Sequence, residues 1–140
     1  MIWAGVVAQL NQTRVNQKLA GTELPYPFFV LLRHFAHDTS RAWTINQLCE
    51  AFQTQQPGMS KRVKKLTDHG LLDSRADESD GRVKWFSINQ KGSKLLEEHS
   101  AEIRALDKSA FADWSQADIE GLHQHLYRLK TYLDENRELG

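Results

Sequence analysis

A polar, charged turn runs into an apolar strand in the stretch Asp77-Glu78-Ser79-Asp80-Gly81-Arg82-Val83-Lys84-Trp85-Phe86-Ser87-Ile88. Acidic residues, serine and glycine favour turns, and the spacing of Phe86 and Ile88 places both side chains on one face of a strand. Another strand is predicted after Leu71 and Leu72. The two strands would form a hairpin with the charged turn at its tip.

A basic helix is predicted just before this hairpin. Met59, Val63 and Leu66 recur at i, i+4 and i+7 as its buried side, Pro57 suits its first turn, and Gly70 suits its end. Lysines on the exposed side of an amphipathic helix are usually just solvated, so this helix alone does not predict a nucleic-acid interface. The exposed side presents Ser60, Lys61, Lys64, Lys65 and Asp68.

Three further helices are predicted upstream. Residues 6–19 form the first, and residues 26–37 are apolar almost all round, which predicts a central core helix. Thr44 suits the start of a short helix whose apolar positions 45, 48, 49 and 52 form one stripe. The order helix, helix, strand, turn, strand predicts a winged helix-turn-helix, in which one helix enters the DNA major groove and the hairpin approaches phosphates or the minor groove.

Charge is unevenly distributed along a chain whose formal net charge is zero. Residues 60–94 hold nine Lys and Arg against five Asp and Glu, whereas residues 95–140 hold five against ten. A basic middle segment fits a protein that touches phosphate with one face only.

The bulk composition predicts one soluble domain over residues 1–140, since 40% of the residues are apolar and 26% are charged. No apolar run is long enough to span a bilayer, and no signal peptide is evident, so a cytoplasmic location is expected. Cys49 is the only cysteine, and neither a metal site nor a cofactor is predicted. Phosphate-binding loops and catalytic motifs are missing from the sequence, so an enzyme is not expected.

The chain resembles the MarR family of bacterial transcription regulators, and among them the SlyA-like members. Asp80-Gly81-Arg82 matches the Asp-x-Arg of the family's wing, and residues 66–71 match the Leu-x-x-x-Gly-Leu end of its recognition helix. Residues 89–92 resemble its Thr-x-Lys-Gly helix start, and Gln56-Pro57 resembles the opening of the recognition helix. Gln53 stands where the family usually has glycine, which predicts a less favourable backbone conformation or a shifted turn.

The resemblance implies a mostly α fold with a small β-hairpin wing. A winged helix-turn-helix over residues 24–92 would be flanked by dimerisation helices over residues 1–22 and 95–140. A single apolar seam more often packs on its own chain, but the family resemblance favours a homodimer on a pseudo-palindromic operator. The expected dimer interface comprises Leu10, Ile119, Leu122, Leu126, Leu129 and Leu133.

The resemblance also implies double-stranded DNA as the partner. Arg82 would border the minor groove beside Lys84, and Asp80 would orient Arg82 through a charge-assisted hydrogen bond. The alternative is a winged-helix module that docks an acidic protein partner without binding specific DNA. The residues expected in the major groove are Gln56, Ser60, Lys61, Lys64 and Lys65.

Family members often release DNA when a small aromatic or phenolic molecule binds between the dimer helices and the winged domain. Aromatic residues at helical spacing more often fill the core, so a pocket and core packing are both open interpretations. Sensing through Cys49 is disfavoured because this residue lies on the apolar stripe of the short third helix, where a cysteine is usually an inert core residue. Zinc sensing is disfavoured because His34 and His37 have no evident third ligand. The candidate pocket residues are Tyr26, Phe29, His34, Phe35, His37 and Trp43.

Overall fold

The computed structural model describes residues 2–22 and 24–136. These ranges fall into two compact units, one within residues 1–103 and the other within residues 104–140. The predicted fold class, mostly α with a hairpin wing, is confirmed. The described helices are α1 (Ile2–Lys18), α2 (Tyr26–His37), α3 (Ile45–Phe52), α4 (Gln56–Asp68), α5 (Gln90–Ala110) and α6 (Gln116–Glu135), and the described strands are β1 (Trp43–Thr44), β2 (Leu72–Ala76) and β3 (Lys84–Ile88).

The core of the first unit is built around α2, as its apolar sequence predicts. Leu32 and Phe35 of this helix are completely buried. Met59, Val63 and Leu66 of α4 are buried in the same cluster. Each such side chain contributes about 1.5–3 kcal/mol of transfer free energy. Because these three residues anchor one side of α4, its other side is left in solvent.

The turn between α3 and α4 has a defined backbone geometry. Thr44 and Gln47 form a capping box at the start of α3, in which the backbone N–H of Gln47 donates to Thr44 Oγ1 at 3.3 Å. At its end Gln53 adopts φ 49° and ψ 47°. Its side-chain amide donates to the carbonyl of Glu50 at 2.6 Å. The expectation of an unfavourable backbone conformation at this non-glycine residue is confirmed.

The sheet has the strand order β1-β3-β2 and is antiparallel throughout. Leu72 pairs with Ile88 and Arg75 with Trp85 across the hairpin. Phe86 and Ile88 are buried, as their spacing predicts. Strand β1, which pairs Trp43 with Phe86, was not predicted.

The terminal helices differ from the core helices in their exposure. Helix α1 begins at Ile2, earlier than predicted, and Val15 is its buried residue. Helix α6 begins with a capping box formed by Ser115 and Asp118, and none of its described residues is buried. Among the described helices none is both long and apolar enough to cross a membrane.

Candidate nucleic-acid interface

A cleft of about 520 Å³ lies between the exposed side of α4 and the hairpin. It exists because α4 packs its apolar side on the core, while the hairpin rises beside its exposed side. Thr67 and Ser74 add polar groups to its wall. Five of the predicted DNA contacts line this cleft, namely Gln56, Ser60, Lys64, Arg82 and Lys84.

Gln56 is held at the first turn of α4 by a residue that the sequence did not single out. Its side-chain Nε2 donates to Oδ1 of Asn46 on α3 at 3.0 Å. Asn46 also lines the cleft. A glutamine fixed in this way leaves its carbonyl oxygen and second N–H for another partner.

Lys64 forms an ion pair one helical turn along α4. Its Nζ lies 2.6 Å from Oδ2 of Asp68, and the two side chains are 75% and 56% exposed. Exposed pairs at this spacing contribute only about 0.3–0.5 kcal/mol. A phosphate group can therefore displace Asp68 at little cost.

Lys61 and Lys65 are the predicted contacts that do not line the cleft. Lys61 is exposed on α4. Lys65 places its Nζ 4.9 Å from the centre of the Phe28 ring, which is a cation–π contact with α2. The packing of α2 on α4 therefore draws Lys65 away from the hairpin side of the helix.

The hairpin turn is organised by Asp77, a residue whose role was not predicted from the sequence. Its Oδ1 accepts hydrogen bonds from the hydroxyl of Ser79 at 2.6 Å and from the backbone N–H groups of Ser79 and Asp80. Its Oδ2 accepts from the indole N–H of Trp85 at 2.7 Å. The Ser79 hydroxyl and the Trp85 indole hold the pKa of Asp77 well below its usual range. An aspartate two residues before a serine is a recognisable turn signal.

Asp80 acts on the backbone of the wing. Its Oδ1 accepts from the backbone N–H of Arg82 at 3.0 Å. The predicted hydrogen bond to the Arg82 side chain is not the contact that the structure describes, because a two-residue turn brings the carboxylate to the main chain first. Asp80 thus fixes where the Arg82 side chain departs.

The wing carries a second arginine, Arg75, whose position was not predicted from the sequence. The guanidinium of Arg75 lies 5.7 Å from the centre of the Trp85 ring. These residues are cross-strand partners. Alternate residues of a strand point to opposite faces, so Arg75 and Trp85 lie on the opposite face from Lys84.

The candidate ligand residues do not gather around one described cavity. Phe29 and Phe35 are buried in the core. Tyr26 packs against the same core, and His37 is exposed. The aromatic side chains Phe29 and Phe35 of α2 thus pack in the core, which is one of the two interpretations that their helical spacing left open.

His34 and Trp43 do come together. Their ring centres are 4.5 Å apart, and the guanidinium of Arg41 lies 3.6 Å from the Trp43 ring centre. His34 Nε2 and Trp43 Nε1 are buried without a hydrogen-bond partner among the described residues. Burial, followed by the nearby charges of Arg41 and His37, lowers the pKa of His34.

A separate, mostly apolar cleft of about 350 Å³ lies near the end of α4. None of the six candidate ligand residues lines it. Its walls come from the α1–α2 connection, from the α4–β2 connection and from α5. They comprise Thr22, Leu24, His69, Leu71, Lys91, Leu95 and His99.

The predicted dimer residues are partly or fully exposed. Leu126 is 52% exposed and Leu133 is 48% exposed on α6, while Leu10 is 59% exposed on α1. Leu129 is also exposed, and Ile119 and Leu122 are half-buried. An apolar seam left open in this way is available to a second protein surface.

Comparison with known proteins gives concordant matches. The family model described as MarR family matches residues 29–83. The HTH-type transcriptional regulator TcaR of Staphylococcus aureus is 30% identical over 95 residues, covering 64% of this chain and 63% of TcaR. The match thus spans less than two thirds of that relative's length.

Solved structures share the fold at low sequence identity. The Staphylococcus aureus MepR–DNA complex has a TM-score of 0.81 at 18% identity, covering 94% of this chain and 96% of MepR. Apo wild-type MarR from E. coli has a TM-score of 0.76 at 13% identity, covering 91% and 93%. BldR from Sulfolobus solfataricus has a TM-score of 0.69 at 23% identity, covering 90% and 93%.

Proposed function

We propose that the chain is a member of the MarR family and acts as a transcription regulator that binds specific sequences in double-stranded DNA. The observation that carries the proposal is the cleft in which amide, hydroxyl and cationic side chains of α4 and the hairpin share one solvent-facing surface. The matched MepR structure was solved as a complex with DNA, which supports the same partner here.

In this proposal α4 enters the major groove and the wing follows the backbone. Gln56 and Ser60 are the groups suited to base edges, because a glutamine amide pairs with adenine and a serine hydroxyl is an adaptable donor and acceptor. Lys64, Arg82 and Lys84 contribute charge toward phosphates and the adjacent minor groove. Lys61 is placed for an outer phosphate, and Lys65 contributes least because Phe28 holds its ammonium.

We infer that two copies act together. The exposed apolar residues of α1 and α6 support a homodimer, since large exposed apolar side chains are costly in a monomer. A two-fold dimer would bind two half-sites about 34–36 Å apart on a pseudo-palindromic operator. Leu126→Glu is expected to shift the mass measured by sedimentation velocity from dimer to monomer, with Glu120→Gln as an exposed control on the same helix.

We also propose that a small aromatic molecule releases the operator. The cleft of about 350 Å³ supports this, because it pairs apolar walls from Leu24, Leu71 and Leu95 with the cationic side chain of Lys91. A phenolic panel is expected to include a compound that raises the melting temperature of wild-type protein. The same compound should not stabilise Leu95→Phe, which fills the cleft, and an unchanged melting temperature across the panel would contradict the proposal.

Affinity measured at several salt concentrations tests the central proposal against the alternative of a protein-docking module. Fluorescence anisotropy would compare DNA flanking the protein's own gene with a scrambled duplex. Tighter binding to the native fragment, weakening steeply with salt, is expected of a specific DNA-binding protein acting in the cytoplasm. Absence of binding even at low salt would favour an acidic protein partner instead.

A further inference from the structure

The first turn of α5 is tied to the end of the recognition helix α4 through Asn89. The Oδ1 of Asn89 caps α5 by accepting the backbone N–H of Gly92 at 3.0 Å. Its Nδ2 donates to the carbonyl of Gly70 at 2.9 Å and to Oδ1 of Asp73 at 3.1 Å. One side chain thus joins the start of one helix to the end of another and to strand β2.

Three consecutive carbonyls after α4 are bonded to this segment. The carbonyl of His69 accepts from Lys91 Nζ at 2.8 Å. The carbonyl of Gly70 accepts from Asn89 Nδ2, and that of Leu71 accepts from the Asn89 backbone N–H at 3.3 Å. Carbonyls at a helix end usually turn to water or to a cap. Here they are used to attach the next helix.

Gly92 allows the two segments to approach closely. A Cβ at this position would lie 2.3 Å from the carbonyl oxygen of Leu71 and 3.0 Å from Cγ1 of Ile88. An ordinary contact needs roughly 3.4 Å, so any side chain would push α5 away from the end of α4 by about 1 Å. The glycine is therefore required by space.

We propose that Asn89, Lys91 and Gly92 form a joint that sets the direction of α5 relative to the recognition helix. Because α5 leads along the chain into α6, which carries most of the expected dimer residues, the joint would thereby set the half-site spacing that the dimer accepts. This inference rests on the proposed function. Helix α4 is about 20 Å long at 1.5 Å per residue, so a tilt of about 5° at the joint moves Gln56 by about 1.7 Å. A displacement of this size is enough to misalign side chains with base edges.

Isosteric and charge-matched variants test the joint. Asn89→Asp keeps the cap on Gly92 but replaces the donor toward Gly70 and Asp73 with a repelling oxygen. Its control is Gln90→Glu, which adds the same charge at the neighbouring exposed position. Lys91→Met removes the bond to His69, and Lys94→Met is its control.

Gly92→Ala tests the close approach more severely. Its control is Gly121→Ala, where an added Cβ meets nothing within 4 Å. If Gly92→Ala does not fold, the inference is still tested by Asn89→Asp, because that substitution changes neither size nor capping.

The measurement is affinity for a series of duplexes that carry two half-sites with different spacers, alongside a duplex with one half-site. The half-sites are those recovered by selecting wild-type protein on random duplexes. We expect the joint variants to bind the single half-site within about twofold of wild type, and to lose about tenfold of the preference for the best spacer. The controls should keep the wild-type profile.

The possible results distinguish a failure of the proposed joint from a failure of the proposed DNA-binding function. Folded joint variants with the wild-type spacer profile would overturn the joint alone. Wild-type protein that does not prefer paired half-sites over one would overturn the proposed dimeric function and the joint with it.

Discussion

Replacing Arg82 with glutamine is expected to reduce the salt dependence of operator binding. Arg82 lines the cleft, and Asp80 fixes its backbone N–H at 3.0 Å, so its side chain leaves the wing from a defined position. Each phosphate contact contributes about 0.9 to the slope of log affinity against log salt. The proposed dimer would lose two such contacts, so the slope should fall by about 1.8, and affinity at 0.1 M salt should fall about 60-fold.

Arg75→Gln is the matched control for this substitution. It removes the same charge from the same hairpin, but Arg75 lies against Trp85 on the face away from the cleft. Arg75 can then affect DNA binding only through long-range attraction to phosphates, which salt screens beyond about 10 Å at 0.1 M. We expect a slope change below about 0.5 for this variant.

Fluorescence anisotropy at five or more salt concentrations measures both slopes on the selected operator. Circular dichroism and a thermal melt would establish that both variants fold like wild type. An unchanged slope in Arg82→Gln would refute the placement of the wing at phosphates. Equal slope changes in Arg82→Gln and Arg75→Gln would mean that the loss of one positive charge explains both, and would refute the role of the cleft.

Three further predictions concern the wing turn, the α3–α4 turn and the buried histidine. Asp77→Ala should speed amide hydrogen exchange in the turn and weaken DNA binding. Since hydrogen bonds lower the pKa of Asp77, the wild-type turn should keep its order down to pH values below the usual carboxylate range. Loss of protection against amide hydrogen exchange within the usual carboxylate range would contradict this. Gln53→Val should lower the free energy of unfolding in urea by about 1–2 kcal/mol, because a β-branched side chain is strained at positive φ more than glutamine is. Gln53→Gly should not lower it, because glycine has no Cβ, and equal stabilities of the two variants would refute the strain. The lowered pKa of His34 means that the unfolded chain binds more protons below the ordinary histidine pKa, so the free energy of unfolding should fall as pH drops from about 7.5 to about 5. His34→Phe should remove most of that dependence, and His37→Phe, which removes only one of the charges near His34, should reduce it less. The same pH profile in wild type and both variants would show that His34 is not responsible.

Local signals allowed much of the fold to be predicted. Helix α2 has the predicted bounds, because Pro25 and Pro27 mark its start and its apolar residues are continuous. The buried side of α4 was found from the spacing of Met59, Val63 and Leu66, since helical period is a property of the local sequence. The unfavourable backbone conformation at Gln53 was expected, beside the alternative of a shifted turn, from the resemblance to a family that usually has glycine at this position.

Features that depend on distant residues were not predictable. Strand β1 has two residues and exists through its pairing with β3, so no local pattern marks it. The contact of Lys65 with Phe28 depends on how α2 packs against α4. Asp77 gains its importance from Trp85, eight residues later, whose indole reaches it only after the hairpin has closed.

The role of the candidate ligand residues could not be predicted from local sequence either. Aromatic side chains on a buried helix have the same spacing whether they line a cavity or fill a core. The structure assigns Phe29 and Phe35 to the core. The described cleft near α5 instead draws residues from three separate segments, which spacing along the chain does not connect.

Selection of the wild-type protein on a library of random duplexes tests the central claim most directly. We expect enrichment of an inverted repeat whose half-sites are centred about one helical turn apart, and a footprint that covers both half-sites. Enrichment of no sequence above the starting library, with binding that depends only on duplex length and salt, would contradict a dimeric, sequence-specific regulator.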